Sequence, residues 1–115
     1  MLCKENRIRK DREFSFVYRK GKKVANEDFV LYFYPKSYCF KVGFSVNKKY
    51  GKAWERNKIK RRLSEIIRLE LEILKPYLAV IVVLKGAKEK DYNGLKISLD
   101  RLLSKVGILN GVTFD

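Results

Sequence analysis

Apolar residues near the start of the chain are spaced as in an amphipathic helix. Phe14, Val17 and Tyr18 recur at i, i+3 and i+4, which places them on one helical face. Asp11 is a suitable N-cap, because its carboxylate can accept hydrogen bonds from first-turn N–H groups. Gly21 is a suitable C-terminal stop. The pattern therefore predicts a short helix between these two residues.

Three strands are predicted to follow this helix. A short one lies near 22–25, residues 28–34 are rich in aromatic and β-branched types, and residues 38–46 alternate between apolar and polar or small positions. The last two strands are joined by a turn at Pro35-Lys36-Ser37, so we expect them to form a hairpin. The alternation also gives each strand two faces: Phe29, Leu31 and Phe33 oppose Val30, Tyr32 and Tyr34, and Phe40, Val42, Phe44 and Val46 share one side.

The second half of the chain predicts a helix, a strand and a helix. The first helix runs from about 55 to 74 and ends before Pro76, which disfavours helical geometry in the residue before it. Residues 77–84 are continuously apolar, as in a strand that is covered on both faces. Asp91 can cap a last helix with one apolar face, which consists of Tyr92, Leu95, Leu99, Leu102, Leu103 and Val106.

The predicted order α-β-β-β-α-β-α indicates the α+β class and a two-layer α/β sandwich. The 115 residues fit a single domain, 1–115. Residues 1–10 are charged throughout and are predicted to form a basic, flexible arm.

The charge of the chain indicates a polyanionic partner. Lys and Arg number 27 against 13 Asp and Glu, a net charge of +14. Concentrating such charge on a small body costs self-repulsion, which a nucleic acid would relieve. The chain has no His, so the residue best suited to acid–base chemistry near neutral pH is missing. Cys3 and Cys39 lack metal-ligand spacing and are expected to be free thiols in a reducing compartment.

We expect a cytoplasmic protein without a membrane partner. The charged start does not resemble a signal peptide. The longest apolar run, Tyr77 to Leu84, is too short to cross a bilayer as a helix.

Positive residues form an arc along the helix predicted at 55–74. At about 100° per residue, its core stripe contains Ile59, Leu63, Ile66, Ile67, Ile73 and Leu74. A different arc contains Asn57, Lys60, Arg61, Ser64 and Arg68. Phosphates of a nucleic-acid backbone could meet this ladder in charge-assisted contacts. The alternative is a merely solvated face, although such a face would be expected to carry acids in the first turn.

The chain resembles the protein subunit of bacterial ribonuclease P. The similarity is carried by Gly43-Phe44-Ser45-Val46, Lys48-Lys49, Gly51-Lys52-Ala53 and Arg56-Asn57-Lys58-Ile59-Lys60-Arg61. Upstream, Phe14, Val17, Tyr18 and Gly21 match the family's first helix and Phe29-Val30-Leu31-Tyr32 its aromatic strand. The resemblance covers most of the chain and is weakest in the tail and the last helix. Ser64 departs from the family, which usually has Arg there; Arg62 and Arg68 are candidates to replace that contact.

This resemblance implies an endoribonuclease whose chemistry is carried by RNA. The family assists a catalytic RNA that hydrolyses one phosphodiester bond to remove the 5′ leader of precursor tRNA. Magnesium is held by that RNA, so no cofactor and no catalytic residue are expected in this chain, and no obligate protein partner is expected. The family fold also has a left-handed β-α-β crossover, against the usual right-handed preference.

Two groups of residues are predicted to contact RNA, from the resemblance together with helical spacing and strand position. The catalytic RNA would be bound by Lys49, Lys52, Arg56, Asn57, Lys58, Lys60, Arg61, Arg62 and Arg68. The single-stranded leader would lie in a cleft between the first helix and the sheet, against Phe14, Tyr18, Tyr32, Lys48 and Lys85. Aromatic faces beside positive groups are also what the physical chemistry of single-stranded RNA requires. Plain core packing is the alternative for each aromatic residue.

Other classes of protein are open at this point. A non-enzymatic RNA-binding protein, such as a ribosome-associated one, would share the size and charge. A stand-alone metal nuclease would need clustered carboxylates. Its candidate acids are instead dispersed: Glu65, Glu70 and Glu72 lie in one helix, and Asp28, Asp91 and Asp100 at or near the ends of other elements. A DNA-binding protein is a further alternative, but no helix-turn-helix or zinc spacing is visible.

Overall fold

The computed structural model describes residues 2–35 and 37–109 and contains the seven predicted elements in the predicted order. They are α1 (Asp11–Lys20), β1 (Lys22–Ala25), β2 (Phe29–Tyr34), β3 (Lys41–Val46), α2 (Ala53–Glu70), β4 (Leu78–Val83) and α3 (Tyr92–Lys105). Short 3-10 turns occur at Lys4–Asn6, Lys48–Tyr50, Leu71–Ile73 and Lys85–Glu89. Lys36 lies outside the described residues, so the turn predicted there is seen only at its two ends.

The four strands form one sheet in the order β1-β2-β4-β3. The predicted hairpin between β2 and β3 is therefore wrong, because β4 lies between them. β2 pairs antiparallel with β1 and with β4, and β3 pairs parallel with β4. Alternation specifies which side chains share a face but not which strands are neighbours. The strand that is apolar on both faces takes the central position, where both faces are covered.

β3, α2 and β4 form a β-α-β unit, since the two strands are parallel and the helix connects them. The left-handed crossover that the resemblance implies for this unit stays a prediction. The arrangement sets α2 beside β3, the edge strand of the sheet.

The sheet separates two cores. The main core packs α2 and α3 against one face, with Ile59, Leu63 and Leu99 among its buried members. On the opposite face, Val17 of α1 packs on Val80 of β4, and both are fully buried. The predicted two-layer sandwich describes the main core, and α1 adds a partial layer on the other side.

The helix ends follow ordinary capping rules, with one difference from the sequence prediction. Asp91 caps α3, and its Oδ1 accepts from the Gly94 N–H at 2.8 Å. Asp11 is not the N-cap of α1: Lys10 occupies that position, and Asp11 lies in the first turn. An acid there still interacts favourably with the helix dipole. Gly21 ends α1 as predicted, and its N–H donates to the Val17 carbonyl at 2.9 Å.

The residues before α1 differ from the predicted flexible arm, because they lie against the sheet. Leu2 and Ile8 are buried. Arg7 forms a parallel bridge with Val42, and the Ile8 N–H donates to the Val42 carbonyl at 3.0 Å. The prediction was based on the high charge of the segment and overlooked Leu2 and Ile8. Burial of these two apolar side chains holds the segment against the sheet. Part of the β3 edge is thereby covered.

A buried charge cluster ties α2 to α3. Lys96 bridges Glu70 at 2.9 Å and Asp100 at 2.7 Å, and the two carboxyl groups are 7% and 2% exposed. Burial, followed by the hydrogen bond to Asp100, raises the pKa of Glu70 to about 7, while Lys96 acts in the opposite direction. The acids come from separate elements, so their proximity was not predictable from the sequence.

This cluster predicts a pH dependence of stability. The pKa of Glu70 is about 7 in the folded protein against an ordinary 4.5. Between these values the folded state holds a proton that the unfolded chain releases, so the free energy of unfolding falls as pH rises through this window and is level above it. At about 1.4 kcal/mol per pKa unit, this shift corresponds to at most about 3.5 kcal/mol, and partial contact of the group with solvent makes the expected fall smaller than that. Urea unfolding from pH 4 to 8 measures it, with Glu70→Gln as the comparison. If Glu70→Gln shows the same pH dependence of the free energy of unfolding as the wild type, other groups are responsible for that dependence.

Candidate nucleic-acid interface

The basic positions of α2 lie on two flanks of the helix. Asn57, Lys60 and Arg61 are exposed on the side that faces β3 and the N-terminal segment. Lys58 and Arg62 lie on the other side, near the Lys85–Glu89 turn. The helix therefore offers two positive surfaces instead of the single arc that the sequence indicated.

The first flank lines an open groove, here called the α2 groove, of about 660 Å³. Its walls come from the N-terminal segment, α1, β3 and α2, and its lining is Arg7, Ile8, Phe14, Val42, Gly43, Phe44, Asn57, Lys60, Arg61 and Ser64. The groove thus combines aromatic surface on one wall with basic side chains on the other. Ser64, where the family usually has Arg, is part of this lining.

Two arginine side chains near the α2 groove have buried donors without acceptors. Among the described residues, none accepts a hydrogen bond from Nε of Arg7 or of Arg56. A buried donor without a partner is unfavourable, and most such groups in folded proteins are satisfied. A phosphate oxygen would satisfy either group with a charge-assisted bond. The buried Nε of Arg56 is therefore a candidate donor to a phosphate oxygen, and this property could not be seen from the sequence motif.

The start of α2 is stabilised by its single first-turn acid. The Glu55 carboxylate accepts from the Lys52 N–H at 3.0 Å and pairs with Lys88 at 3.1 Å. The backbone hydrogen bond from Lys52, followed by that from Lys88, lowers the pKa of Glu55. The side chains of Lys49 and Lys52 are exposed beside it. Glu55 offsets the cost of a positive helix start, which leaves these lysines available to a ligand.

Arg68 differs from the other predicted contacts. Its Nε donates to the Glu65 carboxylate at 3.0 Å in a two-pronged ion pair. That pairing raises the pKa of Arg68 and lowers that of Glu65. The charge of Arg68 is thus already balanced, and the i, i+3 spacing of the two residues could have indicated it.

Two of the three predicted aromatic residues are in contact, and the third lies one turn away on α1. The rings of Tyr18 and Tyr32 are 4.7 Å apart at 82°, an edge-to-face pair, and Tyr18 is 40% exposed. Phe14, one turn earlier, lies directly over Gly43 of β3. α1 therefore crosses the sheet from β3 towards β2, with one predicted aromatic residue at each end of the crossing.

A half-exposed row of the sheet lies next to α1. Val30, Val82 and Ser45 are cross-strand neighbours and point to the same face as Val80, which α1 covers completely. All three are only partly buried. We call this row, together with Phe14, Tyr18 and Tyr32, the aromatic cleft. The three added residues were missed because the sequence does not show how far α1 extends over the sheet.

Lys48 and Lys85 lie beyond the same end of the sheet. They follow Val46 and Val83, which are register partners at the ends of parallel strands. Both lysines are exposed. Their placement puts positive charge beyond the end of the strands that carry the aromatic cleft.

Gly43 is required by the position of Phe14, which gives a testable prediction. A Cβ at residue 43 would lie 2.5 Å from two atoms of the Phe14 ring. Gly43→Ala is therefore expected to lower the free energy of unfolding by about 1–3 kcal/mol, as overpacking does. Phe14→Leu in the same chain should restore part of the loss in denaturant unfolding.

Ser45→Ala, one row further along the same face, is the control and should change stability by less than about 0.5 kcal/mol. Strictly additive effects of the substitutions at residues 43 and 14 would contradict the contact between them.

Within 2–35 and 37–109, no three Cys, Asp or Glu side chains are grouped so that they could hold a metal ion. In the same part of the chain, no helix combines the length and the apolar character that a bilayer crossing requires. Cys3 and Cys39 are free thiols, as predicted.

Comparison with known proteins decides the family. The family model described as Ribonuclease P matches residues 2–107. The chain belongs to the ribonuclease P protein family. Members of this family are the protein subunit of an endoribonuclease in tRNA processing whose catalysis resides in RNA, so the family resemblance seen in the sequence is confirmed.

Relatives and solved structures agree with this assignment. The ribonuclease P protein component of Clostridium botulinum (strain 657 / Type Ba4) is 42% identical over 110 residues, 93% of this chain and 99% of that protein. That of Streptococcus agalactiae serotype Ia is 36% identical over 109 residues, 94% and 100% of the two chains. The RNase P protein of Staphylococcus aureus superposes with a TM-score of 0.86 at 32% identity, over 91% of this chain and 98% of that one. The RNase P protein from Thermotoga maritima gives 0.79 at 30% identity, over 86% and 96%.

Proposed function

We propose that this protein binds ribonuclease P RNA through α2 and the 5′ leader of precursor tRNA through the aromatic cleft. It thereby assists endonucleolytic removal of the leader. One observation carries the proposal: Phe14 belongs both to the aromatic cleft and to the α2 groove, where its ring lies over Gly43 and Lys60 and Arg61 form the facing wall. A leader strand in the cleft and an RNA on the helix would therefore lie side by side.

The chemistry of the cleft suits a single strand. Partly exposed tyrosine rings offer faces on which unpaired bases can stack, and the apolar row of Val30 and Val82 can accept further base or sugar surface. Lys48 and Lys85 can follow the phosphates at the open end. A duplex presents no free base faces, so the cleft favours the leader over the paired body of tRNA.

The chemistry of α2 suits a structured RNA. Asn57, Lys60 and Arg61 lie together, and the buried Nε of the adjacent Arg56 has no acceptor in the part of the chain that the structure describes. Lys49 and Lys52 extend the charge past the helix start, while Lys58 and Arg62 offer a second flank. Arg68 is the weakest candidate, because binding RNA would require it to leave Glu65.

We also propose that the protein holds no metal ion of its own and that magnesium is bound by the RNA. The contribution of the protein would be its charge of +14, which lowers the repulsion between two RNA molecules. Its presence should therefore matter most at low magnesium concentration. We propose a cytoplasmic location, which is supported by two free thiols of the kind that persist in a reducing compartment.

Affinity for two tRNA ligands tests this function. Ribonuclease P RNA is titrated with precursor tRNA or with mature tRNA, with and without the protein. The protein should raise affinity for the precursor and leave affinity for mature tRNA nearly unchanged. An equal effect on both ligands would indicate a general RNA-binding protein, such as a ribosome-associated one.

A further inference from the structure

The second flank of α2 contains a pocket with an aromatic side chain, Trp54, to which the proposed function gives no role. It lies between α2 and the turns Lys48–Tyr50 and Lys85–Glu89 and measures about 160 Å³. We call it the tryptophan pocket; its lining is Tyr50, Trp54, Glu55, Lys58, Ile59, Arg62, Ala87, Lys88 and Lys90. Pockets for drug-sized ligands are about 300–1,000 Å³, so this one suits a fragment such as one nucleobase.

Trp54 is largely exposed and, among the described residues, belongs to neither of the two hydrophobic cores. It is the one tryptophan of the chain and is 62% exposed in the first turn of α2. An indole of this kind is a large, rigid stacking surface, and its exposure costs hydrophobic free energy unless a ligand covers it. The side chain is therefore placed as a platform and not as part of the core.

The charges around Trp54 select an anionic ligand. Within the described residues, no acidic side chain pairs with Lys58 or Arg62. The pocket's one acid, Glu55, is already engaged by Lys88 at 3.1 Å. Lys88 is held in place, because its Nζ also donates to the Tyr50 carbonyl at 3.1 Å and lies 5.7 Å from the Tyr50 ring centre. A flat platform beside two unpaired cations matches a nucleotide, with its base on the indole and its phosphate on Lys58 or Arg62.

The position of the pocket indicates which RNA supplies the nucleotide. Tyr50, Ile59 and Ala87, which form its floor, belong to the main core. Phe14 and Tyr32 of the aromatic cleft pack on the opposite face of the sheet. A leader strand in that cleft would run along the other face, whereas an RNA bound to α2 would be adjacent to the pocket.

We propose that the tryptophan pocket binds one unpaired nucleotide of the catalytic RNA, with its base stacked on Trp54. The inference rests on the proposed function, since it presupposes that α2 binds this RNA. It adds a contact to a base to an interface otherwise made of phosphate contacts.

Tryptophan fluorescence, excited selectively at a wavelength that tyrosine does not absorb, tests the proposal directly, because Trp54 is the one tryptophan of the chain. Stoichiometric ribonuclease P RNA should quench the emission and protect it from acrylamide. A fully paired RNA duplex of equal phosphate concentration should do neither. Quenching by precursor tRNA alone, with none by the catalytic RNA, would overturn the assignment.

Substitutions at Trp54 provide a second test of the tryptophan pocket. Trp54→Ala and Trp54→Leu should each weaken binding of the catalytic RNA by about 5-fold to 100-fold, the range of one base–aromatic stack. Trp54→Phe should stay within about threefold of wild type, because the stacking face is kept. Leu69→Ala is the matched control, since Leu69 is 61% exposed on the same helix but outside the pocket. Melting temperatures should be unchanged in all four variants.

The outcomes separate this inference from the proposed function. If wild-type protein fails to bind the catalytic RNA, the proposed function itself fails. If wild type binds but Trp54→Ala equals Leu69→Ala and the emission is unaltered, only the tryptophan pocket is refuted. Equal losses for Trp54→Phe and Trp54→Ala would also refute base stacking.

Discussion

Replacing Arg56, Lys60 and Arg61 together by alanine is expected to weaken binding of ribonuclease P RNA by a factor on the order of 10²–10³ near 0.1 M salt. Each phosphate contact contributes about 0.7–0.9 to the slope of log K against log salt, so the triple variant should lose roughly two to three units of slope. Lys60 and Arg61 line the α2 groove, and the buried Nε of Arg56 lacks an acceptor within the described residues. Titrations at several salt concentrations measure both quantities.

A charge-matched variant controls for net charge. Lys75, Arg101 and Lys105 are exposed, lie outside α2 and line neither the α2 groove nor the tryptophan pocket, and replacing them by alanine removes the same number of charges. That variant should keep most of the slope and the affinity. If the two triple variants lose affinity and slope equally, the α2 flank contributes only to the overall field of the protein, and the localised site is refuted.

The second large effect concerns the leader. Tyr18→Ala combined with Tyr32→Ala is expected to lower the affinity of the holoenzyme for precursor tRNA by about tenfold or more, since each stacked base is worth roughly 1–3 kcal/mol. Affinity for mature tRNA and for the catalytic RNA should barely change. The edge-to-face pair itself adds about 0.5–1.5 kcal/mol of stability, so a modest fall in melting temperature is also expected.

Two further variants separate binding from packing. The double Tyr→Phe variant keeps both rings and should bind the precursor within a few-fold of wild type. Tyr38→Ala removes a tyrosine that is 82% exposed outside the cleft, and it should have no effect. Equal weakening of precursor and mature tRNA binding by the double alanine variant would show that the two tyrosines serve structure alone.

The order of elements and the faces of each strand could be predicted, because they depend on local periodicity. Phe29 and Leu31 are buried in the main core and Tyr32 faces α1, as alternation required. The pairing of β2 with β3 could not be predicted, since period-two alternation carries no information on neighbours. The one feature of the sequence that indicated an interior position for β4 is that its residues are apolar on both faces of the strand.

The sequence could predict which residues contribute to the site, but it could not predict which of them lie on the same surface of the folded protein. Helical spacing grouped Asn57, Lys60 and Arg61 correctly, yet the same arc included Arg68, whose charge Glu65 balances. The two flanks of α2 differ because β3 lies on one side of the helix and the Lys85–Glu89 turn on the other, and the sequence of the helix contains neither fact. Contacts between distant segments, such as Phe14 on Gly43, depend on the tertiary fold and leave no local pattern.

Reconstituted cleavage tests the central claim most directly. Precursor tRNA is incubated at low magnesium concentration with a bacterial ribonuclease P RNA alone, with this protein alone, and with both. We predict 5′ leader removal at the mature end with both components, little with the RNA alone and none with the protein alone. Cleavage by purified protein without RNA, or no stimulation of the RNA by protein that binds it, would contradict its role as the protein component of ribonuclease P.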